Sequence, residues 1–206
     1  MGYEAAAAAA SLPPARGSVG AGTGATVGKA LGIGRAMKGG FGTASETGGE
    51  SVVGACAVVN AFGDVVDPST GKRVAGARAA GSDKAADTEA LFRSGFRREP
   101  FAAEGNTTLG VVATADSLSR EELWSVARMA HAALCRVIRP VHTPMDGDVV
   151  VAVATGASGR RGNLLQVASL GTRALEASIL DGVRCAKGTA DVPAAAEISG
   201  SGEESS

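Results

Sequence analysis

Aromatic residues and histidines are scarce in this chain of 206 residues. Aromatics account for only 3% of the sequence, so its 45% of apolar residues must build a core from alanine, valine and leucine. His131 and His142 are the two histidines, which is too few for most metal sites. We therefore expect neither a metal ion nor a cofactor.

Long apolar runs and an excess of one charge are also missing. No run approaches the roughly 20 residues that span a membrane, and a net charge of −1 gives no broad attraction to nucleic acid or anionic lipid. The start, Met1–Glu4 and then six alanines, has no basic region and predicts a helix rather than a signal peptide. Three widely spaced cysteines, Cys56, Cys135 and Cys185, fit a reducing compartment. We expect a cytoplasmic protein that binds neither nucleic acid nor a membrane.

Glycine, by contrast, is abundant, with 30 residues that are densest over residues 16–45. This stretch does not match a Walker A phosphate loop, because three residues rather than four separate Gly24 from Gly28, and Lys29 is followed by Ala30. The spacing of a dinucleotide-binding loop fails as well. A nucleotide-binding module is therefore disfavoured, and the glycines are expected to serve tight turns and close strand packing.

The apolar pattern predicts alternating helices and strands within one domain over residues 1–186, followed by a disordered tail over residues 187–206. The order predicts an α/β (α+β) layer sandwich with partly antiparallel sheets. The predicted elements are a helix over 4–11, a strand over 52–60 in a hairpin with 65–66, a short helix near 87–92 in a long polar linker, a strand over 107–115, a helix over 119–139 that starts with a capping box, a strand over 149–155 and a helix over 164–183.

The most unusual chemistry lies at Asn106-Thr107, where the polar linker meets an apolar run that starts at Leu109. The Thr107 hydroxyl can attack the Asn106 carbonyl and convert the amide into an ester, which water then cleaves. Thr107 would become a new N-terminus, and such an α-amine, with a reference pKa of about 7.7–8.0, can accept the proton of its own hydroxyl. The alternative is an ordinary strand start, which the tripeptide Asn-Thr-Thr alone favours.

Two acids, Asp146 and Asp148, precede the predicted strand that begins near residue 149. If loops bring the two strand starts together, this pair could orient the Thr107 hydroxyl, hold its ammonium group and relay protons. The alternative is a turn that carries two solvated acids, which the spacing alone favours.

Six segments in order resemble the DmpA-type L-aminopeptidase/D-esterase family of peptidases (family P1), which includes β-peptidyl aminopeptidases and 6-aminohexanoate-oligomer hydrolases. The resemblance spans about residues 3–185. The segments are Gly20–Lys29, Lys38–Ser45, Val58–Asn60, Gly105–Leu109, Val112–Thr114 and Arg139–Asp148.

The resemblance implies an αββα sandwich of the N-terminal-nucleophile type. It also implies self-cleavage between Asn106 and Thr107 into an α-chain, residues 1–106, and a β-chain, residues 107–186. Pairs of these chains would assemble into a homo-oligomer that hydrolyses short peptides, amides or esters.

The family's functional residues carry over onto five positions. Thr107 resembles the nucleophile, and Asn60 matches an asparagine whose amide contributes to the oxyanion hole. Asp146 and Asp148 match the acidic pair behind the nucleophile in the threonine branch. Lys29 matches a lysine of the nylon-oligomer branch, where a cation would help keep the amine neutral and the carboxylates ionised.

Two departures from the family pattern affect the interpretation. The nucleophile strand is followed by Thr114-Ala115-Asp116, where the family usually has Thr-Asp-Ala. Family chains also carry a long N-terminal portion before the helix that begins this sequence, and this portion supplies part of the substrate pocket. The leading interpretation is an N-terminally truncated, autoprocessing amide hydrolase. The alternative is a non-catalytic remnant or partner subunit of such a hydrolase.

Overall fold

The computed structural model describes residues 2–79, 85–97 and 105–199. Its helices are α1 (Gly2–Ala7), α2 (Thr88–Arg93), α3 (Arg120–Ala130), α4 (Ala132–Val137), α5 (Leu164–Arg184) and α6 (Ala195–Ser199). Its strands are β1 (Thr26–Val27), β2 (Met37–Lys38), β3 (Gly40–Gly48), β4 (Ser51–Asn60), β5 (Asp64–Val66), β6 (Arg73–Ala75), β7 (Thr107–Thr114), β8 (Ile138–Arg139) and β9 (Val149–Ala154). No helix within the described residues combines the length and apolar character needed to cross a membrane.

The main sheet has four strands in the order β3-β4-β7-β9. Strand β4 runs antiparallel to both β3 and β7, whereas β9 runs parallel to β7. A two-residue turn at Gly49-Glu50 joins β3 to β4, and Gly49 has a positive φ of 56° that suits glycine. This mixed sheet agrees with the partly antiparallel sandwich that the sequence predicts.

The predicted hairpin between residues 52–60 and 65–66 is wrong. Strand β4 pairs with β3 and β7, while β5 belongs to a separate sheet of order β6-β5-β8. The buried carboxylate of Asp64 accepts hydrogen bonds from the Ala77 and Thr88 amides, at 2.9 Å each, and these bonds hold the start of β5 in the second sheet. After the apolar strand β4 and the turn that follows it, the chain therefore enters the second sheet at β5 instead of pairing with β4.

Helix α5 packs across one face of the main sheet and buries most of the core between them. The approach is close because glycines line the contact: a Cβ added at Gly42 would lie 2.1 Å from the Ser178 carbonyl oxygen, and one at Gly182 would lie 2.9 Å from the Gly42 nitrogen. The glycines thus serve close packing, as the sequence predicts.

The opposite face of the main sheet is apolar and exposed. Valines and leucines on alternate positions of β4, β7 and β9 point away from α5 because successive side chains alternate between the faces of a strand. Within the described residues the chain therefore supplies one helix layer and one sheet of a layered sandwich. The exposed side chains are those of Val52, Leu109, Val111, Val149, Val151 and Val153.

The region after residue 187 is more structured than the sequence analysis expected. The carbonyl of Pro193 accepts a hydrogen bond from the Lys38 amide at 2.9 Å, and the alanines Ala194 and Ala195 are buried. Helix α6 follows, and Ile198 packs against the core. Small apolar residues therefore tie residues 187–199 to the domain, and the remainder of the predicted tail, residues 200–206, lies outside the described residues.

Candidate active site

Strand pairing brings the predicted site residues to one end of the main sheet. Asn60 is the direct partner of Thr107 across the antiparallel β4–β7 pair. Asn106 forms a parallel bridge with Asp146, and the Thr108 amide donates a hydrogen bond to Asp148 Oδ1 at 2.7 Å. The starts of β7 and β9 therefore lie side by side, which is the arrangement that the sequence analysis required of the acidic pair.

The Asn106 carbonyl, which belongs to the predicted scissile bond, is tightly held. Its oxygen accepts a hydrogen bond from the Thr107 hydroxyl at 2.6 Å and another from the Gly147 amide at 2.8 Å. Two donors on one carbonyl oxygen polarise the group and favour negative charge on that oxygen. The nucleophilic oxygen and the carbonyl that it would attack are thus adjacent.

Gly147 is a site residue that sequence reasoning missed. A Cβ added at this position would lie 3.1 Å from Thr107 Oγ1 and 3.8 Å from the Asn106 oxygen, so a side chain would crowd the nucleophile. The signal in the sequence is the position of this glycine between Asp146 and Asp148.

The side-chain amide of Asn60 is fixed in one orientation by a buried lysine. Lys29, which is 2% exposed, donates from Nζ to Asn60 Oδ1 at 2.7 Å and to its backbone oxygen at 3.1 Å. The Thr26 amide also donates to Asn60 Oδ1, at 3.1 Å. Because the oxygen is occupied in this way, Nδ2 faces the cleavage site, where it donates to the Gly105 carbonyl at 2.9 Å.

The recorded partners of the two carboxylates are backbone amides and nearby side chains other than the Thr107 hydroxyl. Asp146 accepts bonds from the Phe62 amide at 3.3 Å and from the amide and hydroxyl of Thr143 at 2.9 and 2.7 Å. Asp148 is bound by the Thr108 amide and faces His142 Nδ1 at 3.2 Å. In this uncleaved state the acids therefore shape the loop that carries Gly147.

The neighbouring threonines point to opposite faces of the sheet. Thr107 shares the uncovered face with Leu109, whereas Thr108 is fully buried on the face that α5 covers. The Thr108 hydroxyl has no hydrogen-bond partner among the described residues. Thr107 is thus the better-placed nucleophile of the two.

A cavity of about 400 Å³ adjoins the scissile bond. It shares Met145 and Phe62 with the site: the Met145 carbonyl accepts a bond from Asn106 Nδ2 at 3.3 Å, and the Phe62 amide binds Asp146. The rest of its wall is largely apolar, with Glu89 and Arg93 also contributing.

Among the residues that the structure describes, no cluster of three or more histidines, cysteines or acids could hold a metal.

The fold is shared with solved hydrolases. A Burkholderia sp. β-aminopeptidase matches 96% of this chain and 56% of its own chain, with a TM-score of 0.65 and 22% identity. The L-aminopeptidase D-Ala-esterase/amidase of Ochrobactrum anthropi, described as a variant of the Ntn-hydrolase fold, matches 89% of this chain and 49% of its own, with a TM-score of 0.56 and 20% identity. The αββα class expected from the sequence is therefore confirmed.

Sequence relatives are named as aminopeptidases and as oligomer endohydrolases. An uncharacterized aminopeptidase of Mycobacterium tuberculosis is 44% identical over 162 residues, which cover 76% of this chain and 45% of the relative. One from Mycobacterium leprae is 36% identical over 208 residues, covering 93% and 55%. A 6-aminohexanoate-oligomer endohydrolase of Paenarthrobacter ureafaciens is 41% identical over 56 residues, covering 27% and 16%. The chain thus spans about half the length of the aminopeptidases it matches.

Fold and relatives together place the chain in the N-terminal-nucleophile fold, among proteins named as aminopeptidases. More specifically, the chain belongs to peptidase family S58, the DmpA family, whose family model matches residues 1–195.

Proposed function

We propose that this chain is an autoprocessing amide hydrolase that cleaves itself between Asn106 and Thr107 and then uses Thr107 as its nucleophile. The observation that carries the proposal is the Asn106 carbonyl oxygen, held between the Thr107 hydroxyl at 2.6 Å and the Gly147 amide at 2.8 Å. Family membership supports an amide bond as the substrate.

Self-cleavage begins when Thr107 Oγ1 attacks the Asn106 carbonyl carbon. Negative charge develops on the Asn106 oxygen, where the Gly147 amide stabilises it. The C–N bond then breaks and the Thr107 nitrogen takes up the proton that the hydroxyl has lost, so that an ester joins Asn106 to the Thr107 side chain. Water hydrolyses this ester and leaves a carboxylate on Asn106 and a free hydroxyl and amine on Thr107.

In turnover, the new α-amine of Thr107 takes the proton from its own hydroxyl as Oγ1 attacks the substrate carbonyl. Asn60 Nδ2 donates to the developing oxyanion. Its partner in the uncleaved chain is the Gly105 carbonyl, which belongs to the end that cleavage releases, so processing frees this donor. Asp146 and Asp148 balance the charge of the nearby ammonium group, and Lys29 keeps the Asn60 amide aimed at the site. The bond to the substrate's amine or alcohol then breaks, and this leaving group takes the proton held by the α-amine. Water hydrolyses the remaining acyl-enzyme ester.

The substrates proposed are short peptides, amides or esters from which the enzyme releases the N-terminal residue. During self-cleavage the Asn106 side chain occupies the acyl side of the bond and reaches the Met145 carbonyl. The substrate's acyl residue would replace it there, beside the cavity of about 400 Å³ with its largely apolar wall. We further propose a cytoplasmic homo-oligomer of α/β pairs, each with one hydrolase domain that extends past residue 186 to include α6.

A non-catalytic partner subunit is the second candidate. The uncovered apolar face of the main sheet favours it, because a chain that presents such a face fits a role in pairing with another polypeptide. The two functions differ in covalent chemistry, since only a competent site cuts itself.

The deciding experiment is intact mass spectrometry of the purified chain with N-terminal sequencing of the smaller fragment. The proposal expects a fragment that begins Thr107-Thr108-Leu109. Thr107→Ala should abolish cleavage, and Thr107→Ser should retain part of it because serine keeps the hydroxyl.

Thr108→Val is the matched control. It preserves the shape of a buried side chain and removes a hydroxyl without a hydrogen-bond partner among the described residues, so folding and cleavage should both survive. A soluble wild-type chain that stays whole on long incubation, or a fragment that begins at Thr108, would refute the proposal.

A further inference from the structure

We infer that His142 is a positioning residue for this site, which holds the Asp148 carboxylate against the nucleophile strand. The inference rests on the proposed function, because it assigns a role around Thr107. Four observations carry it: the His142–Asp148 contact, the second contact of the same ring, the conformation of the His142 backbone, and the link from Asp148 to β7.

The Asp148 carboxylate joins His142 to β7. Its side chain is 4% exposed; Oδ1 accepts the Thr108 amide at 2.7 Å, and Oδ2 faces His142 Nδ1 at 3.2 Å. A carboxylate oxygen accepts hydrogen bonds, so the ring tautomer that carries the proton on Nδ1 donates to it. The Nδ1–H group therefore fixes the second oxygen while the first one grips the residue beside Thr107.

The other side of the imidazole ring is also occupied. His142 Nε2 lies 3.5 Å from Cys135 Sγ on α4, and the ring packs on that of His131 with 4.7 Å between centroids. The titratable groups in contact with the His142 ring are thus Cys135, His131 and Asp148. Cys135 and His131 anchor the ring from the helix side, so the ring connects α4 to the Asp148 carboxylate.

The His142 backbone adopts a conformation that few residues favour. Its φ is 54°, and among the described non-glycine residues it alone has a positive φ. Such a conformation costs free energy and persists only where the surrounding structure enforces it, which is common at functional sites. Asparagine tolerates it better than most residues, and glycine adopts it freely.

This conformational preference gives three substitutions that separate the backbone from the side chain. His142→Asn tolerates the positive φ and places an amide N–H near the position of Nδ1. His142→Gly tolerates the φ but removes the donor. His142→Ala removes the donor and adds backbone strain. A purely structural role predicts that glycine is as good as asparagine, whereas a positioning role predicts that asparagine alone rescues.

The first measurement does not depend on activity. In an uncleaved Thr107→Ala background, the hydrogen-exchange rate of the Thr108 amide reports how firmly Asp148 grips it, and the Val112 amide in the middle of β7 serves as the internal reference. His142→Gly should accelerate exchange at Thr108 relative to Val112 by about two- to tenfold, the range expected for one weakened hydrogen bond. His142→Asn should restore most of the protection.

The second measurement is the rate of self-cleavage in the chain that retains Thr107. His142→Gly should slow it and His142→Asn should recover it, and thermal unfolding would check that both variants are folded. Equal exchange at Thr108 in the Thr107→Ala protein with and without His142→Gly or His142→Asn would overturn the inference. This holds whether or not the chain that retains Thr107 cleaves itself. A parent that never cleaves would instead refute the proposed function, and the exchange data would still decide the role of His142.

Discussion

At Asn60 one side-chain amide joins three segments of the chain. Its oxygen receives the Lys29 ammonium and the Thr26 amide, and its nitrogen reaches the Gly105 carbonyl beside the candidate cleavage bond. A buried cation on the oxygen sets the direction of the nitrogen, which is what an oxyanion donor requires. At the residue scale, the candidate site thus depends on a fixed side-chain amide as well as on its two acids.

Removal of the Asn60 donor should therefore lower turnover far more than stability. We expect Asn60→Ala to reduce the kcat of the processed protein by on the order of 10²–10³, the usual effect of losing one oxyanion donor. Asn60→Asp is the matched variant, because it keeps an oxygen for Lys29 and Thr26 but loses the donor. Steady-state kinetics and thermal unfolding would test both, and a near-normal kcat in either folded variant would remove Asn60 from the site.

At the element scale, the contact between α5 and β3 depends on glycine. A Cβ at Gly42 would lie 2.1 Å from the Ser178 carbonyl oxygen, which belongs to rigid backbone and cannot move aside as a flexible side chain would. The helix can therefore lie this close to the sheet only while the position has no side chain.

Gly42→Ala should destabilise the fold by about 1–3 kcal/mol, the usual cost of overpacking. Gly54→Ala is the control in the neighbouring strand, because a Cβ there meets nothing within 4 Å. It should be neutral or slightly stabilising, since glycine weakens strand interiors. Urea unfolding midpoints would measure both free energies, and equal midpoints would contradict the packing argument.

The far end of the same sheet is tied together by the buried carboxylate of Asp116. It accepts the Ser158 hydroxyl at 2.8 Å and Arg160 Nη2 at 3.0 Å, and it is also bound by the hydroxyl of Ser51 at the start of β4. The Ser51 hydrogen bond, with those from Ser158 and Arg160, holds the pKa of Asp116 below its usual range. The order Thr114-Ala115-Asp116, in place of the Thr-Asp-Ala usual in the family, thus puts an acid where the end of β7 meets Ser51 and the loop of Ser158 and Arg160.

Stability should consequently fall in acid through Asp116. Because its pKa is depressed in the folded state, its contribution is present above the unfolded value of about 3.9 and is lost as the pH falls through the folded value. We expect the unfolding midpoint of the wild type to drop more steeply below about pH 4 than that of Asp116→Asn. Chemical unfolding from pH 2 to pH 7 would show the difference, and parallel curves would contradict it.

At the scale of the whole molecule, one face of the main sheet lacks a covering layer within the described residues. Val111 and Val151 are direct partners in the β7–β9 pair and are 36% and 48% exposed. An apolar sheet face of this kind attracts other apolar surfaces.

The chain by itself should therefore bind the apolar dye ANS and self-associate as its concentration rises. The double substitution Val111→Thr with Val151→Thr should reduce both effects, because threonine keeps strand propensity but adds a polar group. Dye fluorescence and light scattering would measure the change, with far-UV circular dichroism as the control for folding. A monodisperse wild-type chain without dye binding would contradict the expectation.

Local patterns in the sequence determined much of the fold. The Ser119–Glu122 capping box is present, and apolar spacing located α5, β7 and β9. These features depend on residues close together in the chain. The run 119–139 was predicted as one helix but divides at His131 into α3 and α4. The partner of β4 was also mistaken, because pairing is decided by contacts such as those of Asp64 that no local pattern encodes.

For the site, the sequence by itself determined which bond and which acids to consider, since Asn106-Thr107 and Asp146-Gly147-Asp148 are contiguous motifs next to apolar strands. Only the tertiary structure decided that the Gly147 amide holds the Asn106 carbonyl, that Lys29 orients Asn60, and that His142 meets Asp148. The physical reason is the parallel pairing of β7 with β9 and the antiparallel pairing with β4. These pairings bring together groups far apart in the chain, and their register sets each hydrogen bond.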